Sequence, residues 1–211
     1  MSDKAVAVIG AGGHAKVVIS TLQAAGYIVT DVFDDDPAKQ GTSVLNVPVR
    51  GRLSEMAQAD RRAAVIAVGS NRIRETLASE IEMEWLTVVH PQSYVHASVR
   101  LGEGSVVFAG AIIQPDTVIG AHAIINTGAT IDHDCMLGDF VHVAPGVRLA
   151  GGVQIAKGAF LGTGAVVIPY RHIGEWSVIG AGGVVVKDIP DNMIAVGIPA
   201  KPLPATFKEK L

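Results

Sequence analysis

The feature that most constrains this chain is an aliphatic residue at every sixth position over nearly half of its length. From Val89 to Val185, all seventeen residues at this interval are Val, Ile or Leu, with no insertion. They are Val89, Val95, Leu101, Val107, Ile113, Ile119, Ile125, Ile131, Leu137, Val143, Leu149, Ile155, Leu161, Val167, Ile173, Ile179 and Val185. Neither a helix nor an ordinary strand has this period. It predicts a parallel β-helix of triangular cross-section, with three hexapeptides in each coil.

The glycines of the repeat region follow the same phase. With each aliphatic residue at position zero, six glycines fall at position one: Gly102, Gly120, Gly138, Gly162, Gly174 and Gly180. Eight fall at position three: Gly104, Gly110, Gly128, Gly146, Gly152, Gly158, Gly164 and Gly182. Glycine tolerates the positive φ and the close packing that a corner between short strands requires. In this region only Gly151 and Gly183 lie outside both sets.

The first third of the chain has a different pattern, typical of an α/β unit. Residues 5–9 (AVAVI) predict a buried strand, the glycine-rich turn GAGGHAK follows, and a helical pattern then runs to Ala25. A second strand, Ile28 to Phe33, ends in Asp34-Asp35-Asp36, and a third strand-like run spans Ala63 to Val68. This order predicts a Rossmann-like unit that places phosphate oxygens at the start of its first helix.

The glycine-rich turn leaves the identity of the nucleotide open. The spacing of Gly10, Gly12 and Ala15, with acids about 20 residues further on, matches the dinucleotide fingerprint and by itself suggests NAD. However, the α/β pattern ends near residue 85, which leaves room for one mononucleotide-binding half and none for a dehydrogenase domain. The nucleotide of a substrate therefore fits better than NAD, and a tight turn without a ligand is the structural alternative.

Composition excludes several classes of protein. Aromatic residues make up only 5% of the chain, so the core must consist of small aliphatic side chains. A net charge of −3 without a basic run gives no reason to expect nucleic acid or an anionic membrane as partner. We find no signal-peptide pattern and no apolar stretch near the roughly 18 residues of a membrane span. The single cysteine, Cys135, excludes an intramolecular disulfide framework and favours the cytoplasm.

The repeats resemble those of the hexapeptide-repeat acyltransferases, whose β-helix is left-handed. The segment VVKDIPDNMIAVGIPAKPL, from Val185 to Leu203, is also similar to the end of that superfamily, where a GxPAK segment follows the last coil. The left-handed twist is implied by this resemblance and not by the spacing.

The order of motifs narrows the resemblance to one group. GAGGHAK, FDDD, VGSN, VHP, INTGATIDHD, DFVHVAPG and LAGGV together resemble the PglD/NeuD-like nucleotide-amino-sugar N-acetyltransferases, which include GDP-perosamine enzymes. This implies a Rossmann-like nucleotide-sugar-binding domain at residues 1–85 and a left-handed β-helix acyltransferase domain with a C-terminal tail at 86–211. It also implies transfer of acetyl from acetyl-CoA to the 4-amino group of a UDP- or GDP-linked sugar, as a step of surface-glycan biosynthesis. The enzyme would be a homotrimer that binds CoA between neighbouring β-helices.

The residues point to a base and an oxyanion donor for acyl transfer. His133 lies at an outward position in Asp132-His133-Asp134, where a carboxylate can orient the imidazole. Gly151 follows eighteen residues later, one coil on, so the two should lie on the same face about 4.8 Å apart. We expect the Gly151 N–H to donate to the thioester carbonyl oxygen. The resemblance identifies His133 as the base and Asp134 as the acid beside it, often Glu in relatives; whether the shorter Asp134 reaches the imidazole directly or through water stays open.

Further site residues are implied by the resemblance alone. His142 would line the site from a neighbouring chain and contact the acetyl group or its carrier. The CoA groove would include Thr163, Ala181, Pro199 and Lys201. The substrate would contact Gly12, Gly13, His14, Lys16, Asp35, Asp36, Asn71 and Asn126. A turn residue or a solvated lysine is the structural alternative at several of these positions. Cys135 is expected to be inert, the other four histidines structural or exposed, and no metal site is indicated.

Three other functions stay open at this point. A sugar O-acetyltransferase of the sialic-acid type would need the same base for a hydroxyl acceptor. A non-catalytic scaffold that binds a nucleotide would release no thiol from acetyl-CoA. An NAD-dependent enzyme would bind NAD.

Overall fold

The computed structural model describes residues 5–56 and 63–203, which form an α/β unit followed by a β-helix. The elements of the α/β unit are β1 (Ala5–Ile9), α1 (Gly13–Ala24), β2 (Ile28–Phe33), β3 (Ser43–Val44), β4 (Val47–Gly51), α2 (Leu53–Met56), β5 (Ala63–Ile66) and α3 (Asn71–Glu80). Its sheet has the order β3-β4-β2-β1-β5. The apolar run of β1 lies near the centre of this sheet, paired in parallel with β2 on one side and β5 on the other.

The expected α/β elements are present, with two differences. The third strand ends at Ile66, two residues before the predicted Val68. A hairpin of β3 and β4 was not predicted; its turn is formed by Leu45 and Asn46, both with positive φ. Two central residues with positive φ are what a tight hairpin turn requires, but Leu-Asn is not the Asn-Gly signal by which such turns are recognised.

The β-helix contains seventeen two-residue strands, and the second residue of each is one of the predicted inward aliphatics. The strands are β6 (Val88–Val89), β7 (Tyr94–Val95), β8 (Arg100–Leu101), β9 (Val106–Val107), β10 (Ile112–Ile113), β11 (Val118–Ile119), β12 (Ile124–Ile125), β13 (Thr130–Ile131), β14 (Met136–Leu137), β15 (His142–Val143), β16 (Arg148–Leu149), β17 (Gln154–Ile155), β18 (Phe160–Leu161), β19 (Val166–Val167), β20 (His172–Ile173), β21 (Val178–Ile179) and β22 (Val184–Val185). Two further strands, β23 (Ile194–Val196) and β24 (Lys201–Pro202), follow at the C-terminal end.

Successive coils stack in register, eighteen residues apart. Ile113 pairs with Ile131, and Ile131 pairs with Leu149 one coil later. The strands form three parallel sheets, of six strands (β7 to β22), five strands (β8 to β20) and eight strands (β6 to β24, the last one antiparallel). Most inward aliphatics are fully buried in one column, which contributes roughly 1.5–3 kcal/mol for each large side chain. The predicted coil and its core are confirmed.

The two phased sets of glycines have separate structural reasons. All eight at position three have a positive φ, for example +68° at Gly152. Those at position one have ordinary φ values but lie against the next coil: a Cβ on Gly102 would be 2.4 Å from the backbone nitrogen of Ala121. The corners therefore need glycine at position three for conformation and at position one for space.

The α/β unit packs onto the eight-stranded sheet through α1, which contacts β6. Apolar side chains of α1 share one core with Val106, Phe108 and Ile124 of the coils. Trp85 still forms a bridge with Ala64 of the α/β sheet, and β6 begins at Val88. Of the helices in the described ranges, none has the length and apolar character needed to cross a bilayer.

Candidate active site

His133 lies at the turn between β13 and β14, which we call the His133 corner and which joins the six-stranded sheet to the five-stranded sheet of the β-helix. Its side chain is 52% exposed, and Nδ1 lies 2.7 Å from Oδ2 of Asp134. Asp134 has a φ of 59°, so the corner itself turns the carboxylate back towards the preceding ring. The question left open by the sequence is thereby answered: Asp134 reaches the imidazole directly.

The protonation of His133 follows from this contact. The hydrogen bond that His133 Nδ1–H donates to Asp134 is the largest influence and, with the charges of Asp132 and Asp134, raises the pKa of His133 above 6.5. An aspartate at Nδ1 favours the tautomer with a proton on that nitrogen. The lone pair of the neutral ring is then on Nε2, which is the arrangement that a general base requires.

Gly151 lies one coil after His133, and its backbone is covered by the imidazole. A Cβ on Gly151 would be 2.6 Å from Cε1 and 2.7 Å from Nε2 of His133, closer than any side chain permits. Among the backbone hydrogen bonds of the described residues, none uses the Gly151 N–H as donor. The stacking expected from the spacing of eighteen residues is confirmed, and it places Nε2 of His133 beside the backbone of Gly151.

A second group of predicted residues meets beside the eight-stranded sheet. His142 is buried on β15, with Nε2 3.2 Å from Nδ2 of Asn126 and Nδ1 3.3 Å from the carbonyl oxygen of Gly69. The ring centroids of His14 and His142 are 6.0 Å apart. His14 is in the first turn of α1, whereas Asn126 and His142 belong to the coils, so this group forms only where the two units meet.

Burial keeps both histidines of this group neutral at physiological pH. Desolvation, followed by the charge of Arg74, lowers the pKa of His142 to about 3 and that of His14 to about 4. Nε2 of His14 is buried and has no hydrogen-bond partner in the described part of the chain. A buried ring nitrogen of this kind is suited to a polar ligand atom.

The predicted phosphate turn is open. Gly12 precedes α1 and Gly13 begins it, and a Cβ on either glycine would meet nothing within 4 Å. Lys16 is exposed in the first turn of the helix. The free N–H groups at a helix start form an anion site.

The acids after β2 are exposed at the same end of the sheet. Asp35 accepts a hydrogen bond from the backbone N–H of Leu53 and borders a cavity of about 530 Å³ between α2 and the end of α3. Asp36 accepts one from the backbone N–H of Ala38. The preceding Asp34, which was not among the predicted site residues, fixes the turn by accepting from the N–H of Ala11 at 2.6 Å.

Asn71 has a structural use that differs from the prediction. Its Nδ2 donates to the carbonyl oxygens of Gly158 and Ala159, and its Oδ1 accepts from Arg74 at 3.0 Å. Since its amide is occupied within the chain, the contacts of Asn71 give no support to a substrate-binding role.

Arg74 was missed by the sequence analysis. It is 1% exposed and donates to the carbonyl oxygens of His122 and Phe140 in the coils, both at 2.8 Å, and also to Val68 and Gly69. Burial lowers the pKa of the Arg74 guanidinium to about 9, so it stays charged at neutral pH. The only sequence signal was its spacing of three from Asn71, on one face of a short helix.

The residues expected in the CoA groove lie at another edge of the β-helix. Thr163 and Ala181 are exposed and stack one coil apart at the corner between the eight-stranded and six-stranded sheets. Pro199 and Lys201 are exposed in the C-terminal segment that covers the last coil. None of the four lies at the His133 corner of the same chain.

The surroundings of Cys135 make it unreactive, and no metal-binding group is found among the described residues. The Cys135 side chain is buried, and desolvation raises the pKa of its thiol to about 11, so it is not a reactive thiolate. Within residues 5–56 and 63–203, the His, Cys, Asp and Glu side chains form no group that could hold a metal ion.

Two family models match the chain. The PglD N-terminal domain matches residues 5–81, and the bacterial transferase hexapeptide (six repeats) matches residues 116–151.

Solved structures match nearly the whole chain. PerB from Caulobacter crescentus, in complex with CoA and GDP-perosamine, is 46% identical, with a TM-score of 0.89 over 95% of this chain and 97% of that one. The acetyltransferase domain of PglB from Neisseria gonorrhoeae FA1090 is 39% identical, with a TM-score of 0.89 over 95% and 100%.

Curated relatives match over shorter stretches. The GDP-perosamine N-acetyltransferase of Escherichia coli O157:H7 is 33% identical over 123 residues, which are 56% of this chain and 54% of that enzyme. The chain thus spans about half the length of this relative, and 31% and 23% of two others. With a PglD N-terminal domain, a hexapeptide coil and near-complete coverage of PerB at 46% identity, the chain belongs to the PglD-like family of hexapeptide-repeat acyltransferases, which have a left-handed β-helix.

Proposed function

We propose that this protein is an acetyl-CoA-dependent N-acetyltransferase that acts on the 4-amino group of a UDP- or GDP-linked amino sugar, in the cytoplasm, for surface-glycan biosynthesis. The observation that carries the proposal is the corner where His133, oriented by Asp134, covers the bare backbone of Gly151. The similarity to PerB, solved with CoA and GDP-perosamine, supports the substrate class.

The reaction follows from these groups by direct transfer. The amine nitrogen attacks the thioester carbonyl carbon while Nε2 of His133 takes one proton from the nitrogen. A C–N bond forms, the C–S bond breaks as the tetrahedral intermediate collapses, and the imidazolium returns the proton to the departing thiolate. The products are the N-acetyl sugar and free CoA. Asp134 stabilises the imidazolium, and the Gly151 N–H donates to the developing oxyanion.

The α/β unit supplies the substrate half of the site in this proposal. The open start of α1, with Gly12, Gly13 and Lys16, would hold the pyrophosphate, and the cavity beside Asp35 would take the base. The unpartnered Nε2 of His14 lies between these regions and the coils. We therefore assign nucleotide-sugar binding to residues 1–85 and acetyl transfer to residues 86–211.

A trimer would bring the two groups of residues together. In one chain, His133 lies at one corner of the triangular coil, whereas Thr163 and Ala181 lie at another and His142 lies beside the α/β unit. A convex corner such as that of His133 becomes a pocket only when a neighbour covers it. We propose a homotrimer in which acetyl-CoA lies between adjacent β-helices, with His142 and Lys201 contributed across the interface.

The test is thiol release from acetyl-CoA with GDP- and UDP-linked 4-amino sugars as acceptors. His133→Ala should lower turnover by roughly 10²–10⁴-fold and leave CoA affinity unchanged, because a general base contributes about that factor. His172→Ala, which removes an exposed histidine of the five-stranded sheet two coils after β14, is the matched control and should keep full turnover.

Each alternative has a distinct outcome. Transfer to a sugar hydroxyl and not to an amine would replace this function by O-acetylation. No thiol release with any acceptor would indicate a scaffold, and saturable NAD binding would indicate an oxidoreductase. Unchanged turnover of His133→Ala would remove His133 from the role of base.

A further inference from the structure

Four ring side chains occupy corner positions with a positive φ, a conformation that costs roughly 1–2 kcal/mol for a residue other than glycine. Three of them belong to residues that contact the α/β unit, because the carbonyl oxygens of His122 and Phe140 accept from Arg74 and Trp176 contacts Arg72. His122 and Phe140 stack at 5.3 Å, and the guanidinium of Arg72 lies 4.2 Å from the Trp176 ring. The fourth, Tyr170 (φ 59°), is at the His133 corner and is 71% exposed. Its strained conformation is not explained by packing of the α/β unit.

The Tyr170 ring lies over the glycine next to Gly151. A Cβ on Gly152 would be 2.4 Å from Cδ1 and 2.6 Å from Cε1 of Tyr170. Tyr170 thus covers Gly152 from the following coil, as His133 covers Gly151 from the preceding coil. Two consecutive glycines therefore separate the imidazole from a tyrosine ring, and both rings pack on the same stretch of backbone.

This arrangement defines two sides of the transfer site. An attacking amine must approach from the His133 side, because Nε2 takes its proton. A thioester whose oxygen accepts from Gly151 N–H then presents its opposite face to the coil that follows, where Tyr170 lies. The atoms of acetyl-CoA that present this face to Tyr170 are the acetyl methyl, the sulfur and the adjoining methylenes, which are all apolar. An aromatic ring is a suitable wall for such groups.

We propose that Tyr170 is a binding and specificity residue for acetyl-CoA that packs on the thioester end, away from the attacking amine, and limits the length of the acyl group. The proposal rests on the transferase function above for its second part. The ring contributes affinity by covering apolar atoms of the co-substrate, and it closes the space into which a longer acyl chain would extend.

The experiment compares Tyr170→Gly with Tyr170→Phe in the full chain. Tyr170→Gly removes the ring and relieves the positive φ, so the fold should be retained. We expect the Kd of acetyl-CoA by titration calorimetry, and its KM, to rise roughly tenfold, while the KM of the amino sugar changes less than twofold. The ratio of kcat/KM for propionyl-CoA to that for acetyl-CoA should rise at least fivefold. Tyr170→Phe should behave as the unaltered protein, since the wall needs no hydroxyl.

Asp116→Gly is the matched control, because Asp116 has the same corner position and a φ of 61° two coils before Gly152. It should leave the acetyl-CoA constants unchanged. An unchanged acetyl-CoA Kd in Tyr170→Gly, or a raised KM for the sugar alone, would overturn the proposal. Calorimetry separates it from the transferase function: weakened CoA binding in Tyr170→Gly supports the wall even if no acceptor is acetylated. If the unaltered protein does not bind CoA, both proposals are wrong.

Discussion

The replacement Gly151→Ala is the most direct perturbation of the His133 corner, since it adds one carbon atom where the imidazole lies. The φ of Gly151 is outside the left-handed region, so alanine can adopt the same backbone conformation. The added Cβ would be 2.6 Å from Cε1 and 2.7 Å from Nε2 of His133, about 0.8 Å short of ordinary contact. The backbone of the coil is fixed by its neighbours on both sides, so the exposed imidazole must move.

A shift of this size should be costly for catalysis and harmless for folding. Moving a reacting group by about 1 Å can lower the rate by about 10²-fold. The shift would also stretch the 2.7 Å contact between Nδ1 and Asp134, which holds the pKa of His133 above 6.5. We therefore expect kcat/KM to fall about 10²-fold and the acid limb of its pH profile to move towards lower pH. The melting temperature should be equal or slightly higher, because alanine restricts the unfolded chain.

Steady-state thiol release, calorimetric CoA binding and thermal melting together test this reasoning. Gly110→Ala is the control: its φ is +71° and a Cβ would make only 3.8 Å contacts, so it should lose roughly 1 kcal/mol of stability and keep its activity. Full activity of Gly151→Ala would show that the position of the imidazole over Gly151 is not the catalytic one.

Further predictions concern protonation and the joint between the units. Asp134→Asn should lower the pKa of His133, because the hydrogen bond that raises it is weakened, and kcat/KM should therefore stay high to a lower pH while its maximum falls. Arg74→Ala should lower the free energy of unfolding by roughly 3–5 kcal/mol, because several buried carbonyl groups lose their donor, whereas Arg72→Ala should cost well below 1 kcal/mol in the same denaturant titration. The pKa of His142 is lowered to about 3 in the folded chain, so below pH 6.5 this histidine is protonated in the unfolded chain and neutral in the folded one. The free energy of unfolding should therefore decrease as pH falls from 6.5 towards 4. His142→Gln should reduce that pH dependence by up to about 1.4 kcal/mol per pH unit.

The coil and the His133 corner could be predicted because they depend on one short rule repeated along the chain. Each inward aliphatic needs only its equivalents eighteen residues away, so a period of six determines which residues stack. The proximity of His133 and Gly151 follows from the same count. Here the sequence pattern and the three-dimensional contact carry the same information.

The interface between the α/β unit and the β-helix could not be predicted, because it does not follow from the six-residue repeat. His14 meets Asn126 and His142 only after α1 has docked on the eight-stranded sheet, and nothing in their spacing indicates this. The sequence does not show that the polar face of α3 is buried against carbonyl groups of the coils. Asn71 was therefore predicted to contact the substrate, whereas it donates to those carbonyl groups. The roles of the predicted site residues in binding and catalysis stay predictions.

The way α3 is held has a consequence for how such proteins can vary. Asn71 and Arg74 contact backbone carbonyls of His122, Phe140 and Gly158, which are eighteen residues apart and belong to three successive coils. Those coils include the one that carries His133, so the distance between the α/β unit and His133 is set within them. Coils beyond Trp176 could be gained or lost without altering that distance, so the β-helix can change in length while the α/β unit and His133 keep their spacing.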